Sequence, residues 1–125
     1  MNKILKLLVL LPAILFVITG IRWLVAPAEI APNFGFTLSD AIGLSSQVGN
    51  MAGFFLTLGS CMLIALISEH RSWYYPPIML LMITALGRTV AWLLHDASLA
   101  SSQIMIEIVV AFILLIASRR LTREQ

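Results

Sequence analysis

The chain has 125 residues, of which 60% are hydrophobic and only 11% charged. Soluble domains sit nearer about 45–50% apolar and about 25% charged, and a small domain has much surface to cover for its volume. Eight Lys or Arg and six Asp or Glu are too few to cover that surface in water, which argues against a soluble globular enzyme. The mean hydropathy of +0.98 agrees.

Cys61 is the single cysteine, so disulfide frameworks, CxxC redox motifs and zinc ribbons are excluded. The net charge of +2 does not point to nucleic acid, because the basic residues lie at the ends of apolar segments and build no basic face.

A hydrocarbon core about 30 Å thick takes about 20 mostly apolar residues to cross. Four runs come near that length, at about 4–25, 46–67, 77–95 and 103–118, the last short at its outer end. They are continuous rather than alternating, and about twice the length of a barrel strand. In lipid, a helix satisfies its backbone hydrogen bonds within one segment. The expected fold is an all-α membrane protein, a four-transmembrane-helix antiparallel bundle filling 1–125 as one domain.

The first run has a charged start and ends at Ala26-Pro27-Ala28, which imitates a signal peptide. It is too long for a typical signal h-region, so it is expected to stay as the first span. The loop at 26–45 contains Thr37-x-x-Asp40, a capping-box pattern that predicts a helix opening near Leu38. Phe34, Phe36 and Leu38 in this loop are placed to dip into the membrane interface. It is read either as a short surface helix leading into the second span or as a lid over an outer cavity.

In the second span, Gly49-x-x-x-Gly53 is a small-residue ridge that permits close helix approach. The partner is either a helix of the same bundle or a second chain, as a homo-oligomer or membrane-complex contact. Cys61, in the apolar middle of this span, reads as a small packing residue. After it come Trp73, Tyr74 and Tyr75, expected as an aromatic anchor at the membrane boundary. Pro76 and Pro77 suit the first turn of the third helix, where a missing N–H is tolerated.

Lys3, Lys6, Arg71, Arg119, Arg120 and Arg123 all fall on one side of this topology, while the loops 26–45 and 96–102 contain no Lys or Arg. The positive-inside rule then predicts N-in/C-in, with both termini cytoplasmic.

Polar residues inside spans are the informative ones, since a charge at the bilayer centre costs at least about 2.5–3.5 kcal/mol. Arg88 lies about 10 Å below the end of span three, and Glu107 about 6 Å below the start of span four. The two spans are joined by a short loop, so an Arg88–Glu107 ion pair is predicted, with the guanidinium gripping the carboxylate through two parallel hydrogen bonds.

Arg22, Gln47, Asn50, Trp92 and His95 gather toward the same end, while the opposite halves of the spans are nearly pure hydrocarbon. Thr84, Arg88 and His95 fall on one helical face. Each residue also has a structural reading. Arg88–Glu107 fixes helix register, Arg22 snorkels to headgroups, Gln47 and Asn50 join helices, and His95 is solvated at a loop boundary. His70 stands alone, and no cluster has metal-ligand spacing. No cofactor is expected. A channel is disfavoured because polar residues do not line the whole depth.

The stretches Gly20-Ile21-Arg22-Trp23-Leu24-Val25-Ala26-Pro27, Ser46-Gln47-Val48-Gly49-Asn50 and Gly53-Phe54-Phe55 carry a resemblance. So do Ala85-Leu86-Gly87-Arg88, Ala91-Trp92-Leu93-Leu94-His95, and Glu107 with the tail to Arg119-Arg120. Together they resemble a bacterial domain-of-unknown-function family of small four-helix membrane proteins. The layout is similar to that of DoxX-like membrane proteins. The resemblance implies a fold and no reaction. It also implies that Arg22, Gln47, Arg88, His95 and Glu107 stand where family members keep similar residues.

The expected function is a non-enzymatic integral membrane protein whose polar outer half binds a lipid-like, quinone-like or other amphipathic small molecule. One alternative is a small membrane enzyme acting on a lipophilic substrate, with Glu107 or His95 as acid or base and Arg88 stabilising an anion. Another is an accessory subunit of a larger membrane complex.

Overall fold

The computed structural model describes residues 2–123. Helix α1 spans Asn2–Val25, and a short α2 (Pro27–Ile30) runs into a 3-10 turn at Ala31–Phe34. Helix α3 spans Ala41–Ser68, a 3-10 turn covers Arg71–Tyr74, and α4 (Tyr75–Leu94) and α5 (Ser101–Arg120) complete the chain. There is no strand among the described residues. Four segments are long and apolar enough to cross a membrane: α1, α3, α4 with its preceding turn, and α5. Their apolar residues continue onto the exposed surface, as with Leu7, Leu11, Leu15, Met79, Ile83 and Phe112, which suits a protein solvated by lipid tails.

Proline sets several boundaries. Pro27 pushes Ala26 out of helical geometry and then opens α2 as its first residue. Gly35, at φ +73, ends the 3-10 turn in a left-handed conformation that suits glycine. The surface helix therefore lies at 27–34, not near Leu38 as the capping-box pattern predicted. Asp40 stands at the N-cap of α3 but makes no side-chain cap hydrogen bond. Helix α3 begins five residues before the expected 46 and takes up the end of the loop.

The core has two tiers. At the terminal end, Leu5 and Val9 of α1, Met62 and Ala65 of α3, Leu81 of α4, Leu114 and Ala117 of α5, and Tyr74 and Leu121 form one cluster. At the loop end, Trp23, Ile30, Ala31, Ala52 and Phe55 form another. Helix α1 packs mainly on α3, and α4 on α5, with thinner seams between the two pairs.

Tyr74 corrects an expectation. Only Trp73 and Tyr75 are exposed, whereas Tyr74 is fully buried in the terminal cluster and its hydroxyl has no hydrogen-bond partner. The 3-10 turn aims it inward between two outward neighbours.

The glycines narrow a second expectation. A Cβ at Gly49 or Gly53 would meet nothing within 4 Å, so among the described residues no helix packs closely on that ridge. The close approach of α1 and α3 instead occurs at Gly20 and Gly59. A Cβ at Gly59 would fall 2.6 Å from Val17 Cγ2 and 2.7 Å from the Ala13 carbonyl oxygen. Backbone on one side leaves little room to yield. Gly59→Ala is therefore expected to destabilise the protein by about 1–3 kcal/mol. Gly53→Ala should leave stability unchanged or raise it slightly. Thermal midpoints measured in one detergent compare them, and equal midpoints would refute the tight crossing at Gly59.

Candidate functional site

At the loop end, the seam between the two helix pairs opens into a cavity of about 550 Å³. Arg88, on the next-to-last turn of α4, and Glu107, on the second turn of α5, meet at its wall. The Arg88 Nε–H is shared between both carboxylate oxygens, 3.2 Å to Oε1 and 3.0 Å to Oε2. This differs from the expected fork of two parallel bonds. The carboxylate meets the Nε edge of the guanidinium, and neither terminal amino group bonds to it. The side chains are 32% and 10% exposed, so Glu107 is largely removed from solvent while Arg88 keeps an open side.

The rest of the cavity is mostly apolar. Phe16 of α1, Phe54 and Phe55 of α3, and Phe34 and Phe36 of the loop line it, with Leu58 and Leu81 among its deeper residues. Phe55 is the hub. Its ring centroid lies 5.9 Å from Phe16, 5.4 Å from Phe34 and 5.0 Å from Phe54. Trp23 stands behind this wall, 5.9 Å from both Phe34 and Phe36, with its indole N–H buried and unpartnered. Thr19 and Thr84 also line the space. Their hydroxyls donate to the carbonyls of Leu15 and Leu80 one turn back, at 2.8 and 2.6 Å.

Of the residues singled out in the sequence, Asn50, Arg88 and Glu107 line this cavity, as does Gln103. Gln47 does not. Its amide clamps the loop instead, accepting from the Ser39 N–H at 2.8 Å and donating to the Thr37 carbonyl at 3.1 Å. That clamp holds the segment just after Phe34 and Phe36.

Arg22 is exposed in the last turn of α1, away from the cavity lining. Trp92 is 44% exposed and also lies outside the lining. His95 falls outside it too. Helix α4 ends at Leu94, so extending its helical face to His95 fails, and His95 serves as the C-cap with its N–H on the Ala91 carbonyl. Of the two residues expected as acid or base, Glu107 lines the cavity and His95 does not.

The aromatic wall was the part not found in the sequence. The only signal was the placement of Phe34 and Phe36 in the loop, since phenylalanines within all-apolar helices carry no mark of which side they face.

Replacing Arg88 by Leu leaves the Glu107 carboxylate without its partner. With Arg88 partly exposed, a loss of about 1–3 kcal/mol is expected. Arg88→Leu with Glu107→Leu should be more stable than Arg88→Leu alone, and thermal midpoints in detergent test this. A double variant no better than the single one would show that the pair does not carry the effect. Gln47→Ala should raise hydrogen exchange and proteolysis across 34–40 while the helices keep their protection. Unchanged exchange there would remove the clamp from the account.

In comparisons with family models, curated proteins and solved structures, nothing matches this chain. No match supports the domain-of-unknown-function family or the DoxX-like layout that the sequence resemblance implied.

Proposed function

We propose that this is a small multi-pass protein of a bacterial inner membrane that binds a neutral, lipophilic small molecule in the cavity beside Arg88. One observation carries the reading. Arg88 engages Glu107 through Nε alone, and its other N–H groups make no hydrogen bond among the described residues. Arg88 lines a mostly apolar cavity that includes Phe16, Phe34, Phe36, Phe54 and Phe55.

An arginine has several donors in a fixed plane and no acceptor, so it calls for an oxygen acceptor on the ligand. The pair is already electrically neutral. A ligand carboxylate would leave the site with net negative charge in a medium that penalises it. A carbonyl on a ring or chain meets the donors without that penalty. The phenylalanine wall suits a flat or branched apolar body. Ligand sites of about 300–1,000 Å³ with a few convergent polar groups are common in proteins. No observation favours catalysis: His95 is outside the cavity, and both lining threonines donate to their own helices.

The same reading places the helices antiparallel, with residues 26–45 on the outer side and both termini in the cytoplasm. Six of the eight basic residues support it.

Purified protein titrated with a neutral 1,4-naphthoquinone is expected to give a saturable rise in thermal midpoint. A carboxylate-bearing naphthoquinone should bind at least about tenfold more weakly, one step of about 1.4 kcal/mol. Thr84→Phe, which fills the cavity, should abolish the shift. A non-saturable shift that survives Thr84→Phe would be partition into detergent and would overturn the proposal.

Orientation is tested in a Cys61→Ser background with Asn33→Cys or His70→Cys. A membrane-impermeant maleimide should label the first in intact cells and the second only after permeabilisation. The reverse pattern would invert the topology.

A further inference from the structure

A second cleft, of about 520 Å³, lies at the opposite end of the bundle, lined by Arg71, Tyr75, Leu115, Ser118 and Arg119. We infer that this cleft holds the phosphodiester headgroup of an anionic membrane phospholipid.

The argument starts with Arg71. It sits in the 3-10 turn before α4, and its Nε donates to the Ser118 carbonyl at 3.1 Å. That bond caps a carbonyl in the last turn of α5 and fixes the guanidinium plane, which leaves the terminal amino groups as donors to the cleft. Arg119, on the same turn of α5, adds a second cation and makes no hydrogen bond or ion pair among the described residues. No acidic side chain lines the space. The nearby carboxylate of Glu69 is engaged by Arg123. The carbonyl end of α5 contributes roughly half a negative charge, against two full positive charges. The cleft is therefore cationic, with fork-shaped donors that match phosphate oxygens.

Its walls favour a lipid over a soluble anion. Leu115 lies one helical turn, about 5.4 Å, from Arg119 toward the middle of the span. Leu115 and Tyr75 are 42% and 46% exposed. An apolar step directly beside a phosphate-sized basic site matches the junction between a headgroup and its acyl chains. Basic pockets between membrane helices bind lipid headgroups in this way. The inference rests on α4 and α5 crossing a membrane, and it does not depend on the ligand proposed for the Arg88 cavity.

The test is a lipid titration of the full-length protein by native mass spectrometry in a non-ionic detergent. The probes are phosphatidylglycerol, phosphatidylcholine and inorganic phosphate. Phosphatidylglycerol should bind the parent protein at least about tenfold more tightly than phosphatidylcholine, and millimolar phosphate should not displace it. Arg119→Gln should weaken phosphatidylglycerol binding about fivefold. Arg71→Lys, which keeps a donor but loses the fork, should weaken it comparably. Lys6→Gln removes a charge outside the cleft and should change it less than about twofold.

A Lys6→Gln effect as large as that of Arg119→Gln would show diffuse attraction instead of a site. Displacement by phosphate would make it a soluble-anion site. Equal binding of the two lipids would remove it altogether. Because the naphthoquinone titration reads only the far cavity, either result can fail without the other.

Discussion

The Arg88–Glu107 pair governs the loop end of this molecule. A lone carboxylate in that position would face both hydrocarbon and phenylalanine, at a cost no neighbour relieves. With arginine beside it, α4 and α5 acquire a fixed register, and the cavity acquires a polar wall without net charge. The pair holds two helices together and, through the side of Arg88 turned away from Glu107, also supplies hydrogen-bond donors to the cavity. Its geometry matters for this reason. A closed fork would have engaged more of the guanidinium's donors and left fewer for the cavity.

The remaining architecture follows from how the two helix pairs meet. Glycines 20 and 59 bring α1 and α3 into close contact, and side chains such as Leu58, Met62, Leu81 and Leu114 fill the terminal half with little space left over. At the loop end, large phenylalanines stand where small residues would have allowed closure. They pack on one another, and the space they leave toward α4 and α5 is the cavity. The loop completes it from above, held by the amide of Gln47.

Much of this was legible in the sequence, and the divisions are physical. Span length is set by bilayer thickness, so four apolar runs gave four helices with ends shifted by a few residues. The meeting of Arg88 and Glu107 followed from depth arithmetic across a short loop, because few partners are available to charges at that level. Facing was not legible. In a helix apolar on every side, position along the chain does not reveal which residues turn inward, so the cluster around Phe55 showed only through Phe34 and Phe36 of the loop. For the same reason the Gly49–Gly53 pattern stood out while the glycines in actual contact, Gly20 and Gly59, share no motif. Tyr74 was misjudged because its neighbours Trp73 and Tyr75 set the expectation for all three, and a tight turn separated them.

The packing beneath Leu58 and Leu81 has a consequence for traffic. These two side chains are almost wholly buried, and below them the interior is filled by the terminal cluster. The recess is a blind well. On the proposed reading, a molecule held there would exchange with one side of the bilayer and would not cross it. For the binding proposed here, the kinetic quantity set by such a shape is a residence time.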